Sequence, residues 1–87
     1  HMEIVMIKKK GCNPCKLFEP IIKKLSEKNN LHFRTIQAED MPLNIRPDIF
    51  PFFYLRDGDK LIESWGGTNE RKMQSVLKRN LENFTID

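Results

Sequence analysis

The stretch Ile4-Val5-Met6-Ile7-Lys8-Lys9-Lys10-Gly11-Cys12-Asn13-Pro14-Cys15-Lys16-Leu17-Phe18 joins two hydrophobic periods at one short break. Its first four residues are a continuous, β-branched-rich apolar run bounded by lysines, the pattern of a strand buried on both faces. Gly11 interrupts that run. After Cys12 the apolar residues Leu17, Phe18, Ile21, Ile22 and Leu25 recur at intervals of three and four, while Lys16, Glu19, Lys23, Lys24, Glu27 and Lys28 take the opposite side. This predicts an amphipathic helix that ends at Asn29-Asn30. Pro14 falls in its first turn, where no amide donor is missed, whereas Pro20 falls inside and is expected to remove a backbone bond and kink the helix.

Leu31 to Ile36 reads as a second strand, followed by an irregular polar stretch, Gln37 to Pro47, with a short helix expected around Met41 to Ile45. Phe52 to Leu55 and Lys60 to Trp65 flank Arg56-Asp57-Gly58-Asp59, whose Asp-Gly chemistry predicts a hairpin. Gly66-Gly67 ends the hairpin, and both its strand end and a positive φ explain glycine there. Thr68 is the expected N-cap of a last amphipathic helix carrying Met73, Val76, Leu77, Leu81 and Phe84. A strand, a crossover helix and a second strand give a parallel pair, and the hairpin adds antiparallel strands. The expected fold is therefore α/β, a mixed four-stranded sheet with a β-α-β-β-β-α core flanked by helices.

With 87 residues, the chain has room for one domain, placed at residues 3–87, with His1-Met2 read as a vector-derived start. Lys and Arg number 15 against 12 Asp and Glu, an excess spread along the chain rather than gathered into a basic arm, which argues against nucleic acid as a partner. No apolar run approaches the roughly 20 residues of a membrane-spanning helix, and none resembles a secretory leader. A cytoplasmic protein acting as a monomer without a membrane partner is the expectation. Two cysteines are too few for a disulfide scaffold or for the four positions of a structural zinc site, and His32 is the only histidine beyond the vector-derived start. No metal or other cofactor is expected.

The cysteines stand as Cys12-Asn13-Pro14-Cys15 where the first strand's loop enters the helix, the context in which this spacing means redox chemistry. A sulfur at a helix N-terminus faces unpaired amides and the positive end of the helix dipole, and both favour the thiolate. Cys12 is thus the expected nucleophile. Cys15, one helical turn deeper, is placed to attack a mixed disulfide on Cys12 and release the substrate, the resolving role. A static disulfide, two buried thiols acting as small hydrophobes, and a zinc site shared between chains are the bland alternatives.

Three motifs give the chain a resemblance to the thioredoxin superfamily over nearly its whole length. Cys12-Asn13-Pro14-Cys15-Lys16-Leu17-Phe18-Glu19-Pro20 resembles the superfamily's active-site helix, with its later proline; Phe50-Pro51 before the third strand is similar to its cis-proline; Gly66, with Gly67, is similar to the glycine lining its substrate groove. The resemblance implies a thiol-disulfide oxidoreductase that reduces protein disulfides, with Phe50, Pro51 and Gly66 binding an extended substrate segment by strand addition beside Cys12. It also implies a thioredoxin reductase or glutathione as electron donor.

The departures from the superfamily pattern are specific. Gly11 stands where thioredoxins usually carry a tryptophan, Met6 where they carry a buried aspartate that assists the resolving thiol, and Thr35 in place of that aspartate's lysine partner. Deprotonation of Cys15 would then fall to water or another group. The chain is also expected to lack the N-terminal strand and helix of full-length thioredoxins, a compact form shared with glutaredoxins. Gly66-Gly67-Thr68-Asn69-Glu70 resembles the glutathione-holding turn of glutaredoxins, so a glutathione-dependent glutaredoxin is the alternative enzyme, and a non-catalytic protein-binding module the alternative of another class. Trp65 is expected in the core, with a surface role beside the site as the other reading.

Overall fold

A computed structural model describes residues 1–86. The elements are β1 (Met2–Lys8), α1 (Asn13–Lys28), β2 (His32–Gln37), two single-turn 3₁₀ segments (Ala38–Asp40 and Leu43–Ile45), β3 (Phe52–Asp57), β4 (Lys60–Gly66) and α2 (Glu70–Asn80). The sheet order is β2-β1-β3-β4. β1 runs parallel to β2 and antiparallel to β3, and β3 pairs antiparallel with β4. The mixed four-stranded sheet expected from the sequence is present. No helix among the described residues is long and apolar enough to cross a membrane.

β1 is central, and its four apolar residues, Ile4 to Ile7, are all buried because the strand is covered on both sides. Ile4 and Met6 point to the face that receives both helices, where Phe18, Ile22, Phe53, Leu55, Trp65, Met73 and Leu77 complete the main core. The register Met6↔Phe53 and Ile4↔Leu55 puts those side chains on one face, as the two-residue period of a strand requires. Burial of each such side chain is worth about 1.5–3 kcal/mol. Val5 and Ile7 point the other way, into a smaller cluster with Ala38, flanked by Ile36, Met41, Phe52 and Tyr54. On that face the connection between β2 and β3 supplies Ala38 and Met41, and neither helix contributes a residue.

Several sequence expectations need correction. The apolar positions of α1 do not all face the core: Leu17 is 66% exposed and Ile21 43%, while the buried set is Cys15, Phe18, Ile22, Leu25 and Ser26. Ser26 is tolerated there because its hydroxyl donates to the Ile22 carbonyl at 2.7 Å, satisfying the one polar group. Pro20, by contrast, lies inside α1 as expected, on its exposed side, and the helix ends at the Asn29 cap. Between Met41 and Ile45 there is only one 3₁₀ turn, and Leu43 projects outward. The N-cap of α2 is Asn69 rather than Thr68; its Oδ1 accepts the Lys72 amide at 3.1 Å. Leu81 and Phe84 follow the last turn of α2 and pack against the main core from outside the helix.

The C-terminal segment is held to α1 by Asn29, whose amide nitrogen donates to the Thr85 carbonyl at 2.8 Å while its oxygen accepts the Thr85 amide at 2.8 Å. A bidentate Arg79–Glu63 pair ties α2 to β4. Asn80 also donates to that carboxylate.

Candidate functional site

The loop Lys9 to Gly11 carries the chain from β1 to α1 and delivers Cys12 to the helix N-cap. Cys12 has extended backbone angles (φ −94°, ψ 95°), and its Sγ accepts the Cys15 amide at 3.2 Å. A sulfur thus occupies the place where a serine or aspartate oxygen usually caps a helix. Pro14 lies in the first turn as expected, where its missing N–H leaves no helical bond unmade. Cys15 follows one turn later on the buried face, and the two sulfurs are joined in a disulfide with a Cα–Cα separation of 5.3 Å. Cys12 is 5% exposed and Cys15 2%.

Lys8, Lys9, Lys10, Lys16, Glu19 and Gln37 line a cavity of about 290 Å³ together with both cysteines. The Lys8 ammonium meets the Glu19 carboxylate at 3.0 Å, linking the end of β1 to α1. Lys10 donates its backbone amide to Glu39 at 3.1 Å, which anchors the loop before Cys12 to the 3₁₀ turn after β2. That bond, helped by the Gln37 amide, holds the Glu39 carboxyl below its ordinary range. The Arg46 guanidinium in turn donates to the carbonyls of Met41 and Glu39, bracing the same connection.

On the sheet side, the Phe50–Pro51 peptide bond is cis and Pro51 is buried. The Phe50 ring packs against both core clusters, with the Lys9 ammonium 4.8 Å from its centroid. Gly67 donates its amide to the Pro51 carbonyl at 2.8 Å. Gly66 itself has no positive φ; that conformation belongs to Gly67, at 89°. A side chain at Gly66 is disfavoured for a different reason, since a Cβ would stand 3.0 Å from the Phe52 side chain and 3.1 Å from that of Ile49, so that these must give way. Phe50, Pro51 and Gly66 are thus brought together at one end of β3 and β4.

Met6 is fully buried and pairs with Thr35 across the β1–β2 ladder, so neither position carries an acid or a lysine. Trp65 is 3% exposed and stacks on Phe53 with centroids 5.1 Å apart, which makes it a core residue. No cluster of metal-ligating side chains exists among the described residues. The Lys8–Glu19 pair and the Glu39 anchor are the site features that the sequence reading missed. Glu19 lies four residues after Cys15, a spacing that already places the two on one side of a helix, but its charge grouped it with the solvated face.

No family model matches the chain, and no curated protein matches it. Solved structures do match. Thioredoxin f2 of Chlamydomonas reinhardtii superposes with a TM-score of 0.78 at 19% identity, over 90% of this chain and 77% of that one. The chain has the thioredoxin fold. Fasciola hepatica thioredoxin aligns with a TM-score of 0.77 at 19% identity, covering 91% of this chain and 80% of its own. A thioredoxin from Nicotiana alata gives 0.78 at 24% identity, over 93% and 74%. Within this thioredoxin fold, the paired cysteines sit at the strand-to-helix junction and the cis-proline immediately before β3.

Proposed function

We propose that the protein is a thiol-disulfide oxidoreductase that reduces protein disulfides through a Cys12–Cys15 dithiol/disulfide cycle. The observation that carries this reading is Cys12 at the N-cap of α1, its sulfur receiving a backbone amide and bonded to Cys15 one turn on. An amide aimed at Sγ stabilises the thiolate, the form that attacks a disulfide. Attack by Cys12 forms a mixed disulfide, and attack by Cys15 on Cys12 then releases the substrate as a thiol. Both sulfurs come from one chain, so the cycle requires a single copy. Phe50, Pro51 and Gly66 bind the substrate backbone beside the sulfur, and a thioredoxin reductase or glutathione returns the oxidised pair to the dithiol.

The test is insulin-type disulfide reduction with two variants. Cys12→Ser abolishes turnover, whereas Cys15→Ser accumulates covalent mixed disulfides that dithiothreitol releases. Retained turnover in Cys12→Ser overturns the assignment of roles. The second reading, a glutathione-dependent glutaredoxin, draws on the Gly66-Gly67 turn leading into the Asn69 cap of α2. Coupling the reaction in parallel to thioredoxin reductase and to glutathione with its reductase separates the two, because turnover with glutathione alone selects the second.

A further inference from the structure

Cys15 attacks only as a thiolate, and at 2% exposure its proton has little direct access to bulk solvent. Met6, which shares the main core cluster with Cys15, has no group that takes a proton. The cavity that both cysteines line contains one carboxylate, that of Glu19. Glu19 follows Cys15 by four residues on α1, which brings the two Cβ atoms to about 5–6 Å. Its side chain is two-thirds buried and held by the Lys8 ammonium at 3.0 Å, so the carboxylate is kept at the cavity wall rather than free in solvent. At about 290 Å³ the cavity is roomy enough for several water molecules, and its lining is polar enough to bind them.

We propose that Glu19, positioned by Lys8, accepts the Cys15 proton through cavity water and so serves as the base of the resolving step. The proposal rests on the redox reading above. In the mixed disulfide, Cys12 Sγ is bonded to a substrate sulfur. As the Cys15 proton passes to Glu19, the Cys15 thiolate forms the Sγ–Sγ bond to Cys12 and the bond between Cys12 and the substrate breaks. The departing substrate thiolate is protonated by water or by the Glu19 carboxyl. Over the full cycle two electrons pass to the substrate disulfide, which ends as two thiols while the Cys12–Cys15 pair ends oxidised. The other charged groups around the cavity are Lys8, Lys9, Lys10 and Lys16 on its wall and Glu39 on the Lys10 amide.

Mixing the reduced protein with 5,5′-dithiobis(2-nitrobenzoate) in a stopped-flow instrument reports both steps, since attack by Cys12 and resolution by Cys15 each release one coloured thiolate. Glu19→Gln is expected to leave the first release within about twofold and to slow the second by roughly tenfold to a hundredfold near pH 6.5. The deficit should close as pH rises and hydroxide replaces the carboxylate as base. Lys8→Met should slow the second release less, and Glu19→Asp should recover part of the rate. A second release unchanged in Glu19→Gln, or slowed equally at every pH, overturns the proposal. A first release that keeps the wild-type rate in Cys12→Ser instead removes the redox reading beneath it.

Discussion

The Gly67 amide lies 2.8 Å from the Pro51 carbonyl, closing the end of β4 onto the residue that leads into β3. The closure brings Gly66 against the side chains of Phe52 and Ile49. Gly66→Ala must push a ring carbon and a branched methyl apart, and is expected to destabilise by about 1–3 kcal/mol in urea unfolding. Gly67→Ala meets no neighbour but forces a side chain onto φ 89°, costing about 1 kcal/mol or more. A Gly66→Ala protein as stable as the wild type would show that Ile49 and Phe52 yield without loss.

The rotated core face of α1 predicts opposite outcomes at adjacent positions. Phe18→Ala empties a buried site in edge-to-face contact with Phe53 and should cost about 3–5 kcal/mol. Leu17→Lys, at an exposed position, should change stability by less than about 0.5 kcal/mol. Equal losses in chemical denaturation would contradict the packing.

Glu63 titrates below its ordinary value of 4.5 because the Arg79 guanidinium, and after it the Asn80 amide, donate to the carboxylate. A carboxyl whose folded pKa is depressed stabilises the fold above its unfolded value and loses that contribution as pH falls through the folded one. The stability difference between wild type and Arg79→Ala should therefore be constant above about pH 5 and shrink below 4.5. Carbon-detected NMR titration should also show the Glu63 pKa rising in Arg79→Ala.

Lys9, Lys10 and Lys16 are exposed and line the cavity with Cys12, giving the approach to the sulfur a positive potential. A disulfide flanked by acidic residues should react faster than one flanked by basic residues. Reversing Lys10 and Lys16 to Glu should lower the rate with the acidic peptide by about threefold to tenfold at low salt. The effect should fade by about 0.5 M salt as the charges are screened, and rates independent of salt would count against steering.

The elements legible in the sequence are those whose signal is local. The unbroken run Ile4 to Ile7 marks a central strand, the Asp57-Gly58 turn marks a hairpin, and Cys12 with Cys15 marks the head of a helix. What escaped depends on neighbours distant in the chain. Five apolar residues in α1 span too wide an arc to say which edge is covered, and the buried Ser26 is invisible to hydropathy because its partner is a carbonyl. Thr68 and Asn69 are both residue types that cap helices, and it is Asn69, the more favoured of the two, whose oxygen meets the Lys72 amide. The steric limit at Gly66 comes from Ile49, which no pattern in β4 could reveal.

The place of β1 between β2 and β3 also sets when the cysteines acquire their surroundings. β1 ends at Lys8 but its antiparallel partner begins only at Phe52, with the cysteines lying between. During synthesis the thiols therefore emerge long before β3, the strand that covers the second edge of β1. Cys12 and Cys15 meet through the local geometry of the head of α1, and the non-local pairing of β1 with β3 adds Phe53 and Leu55 to the cluster that buries them.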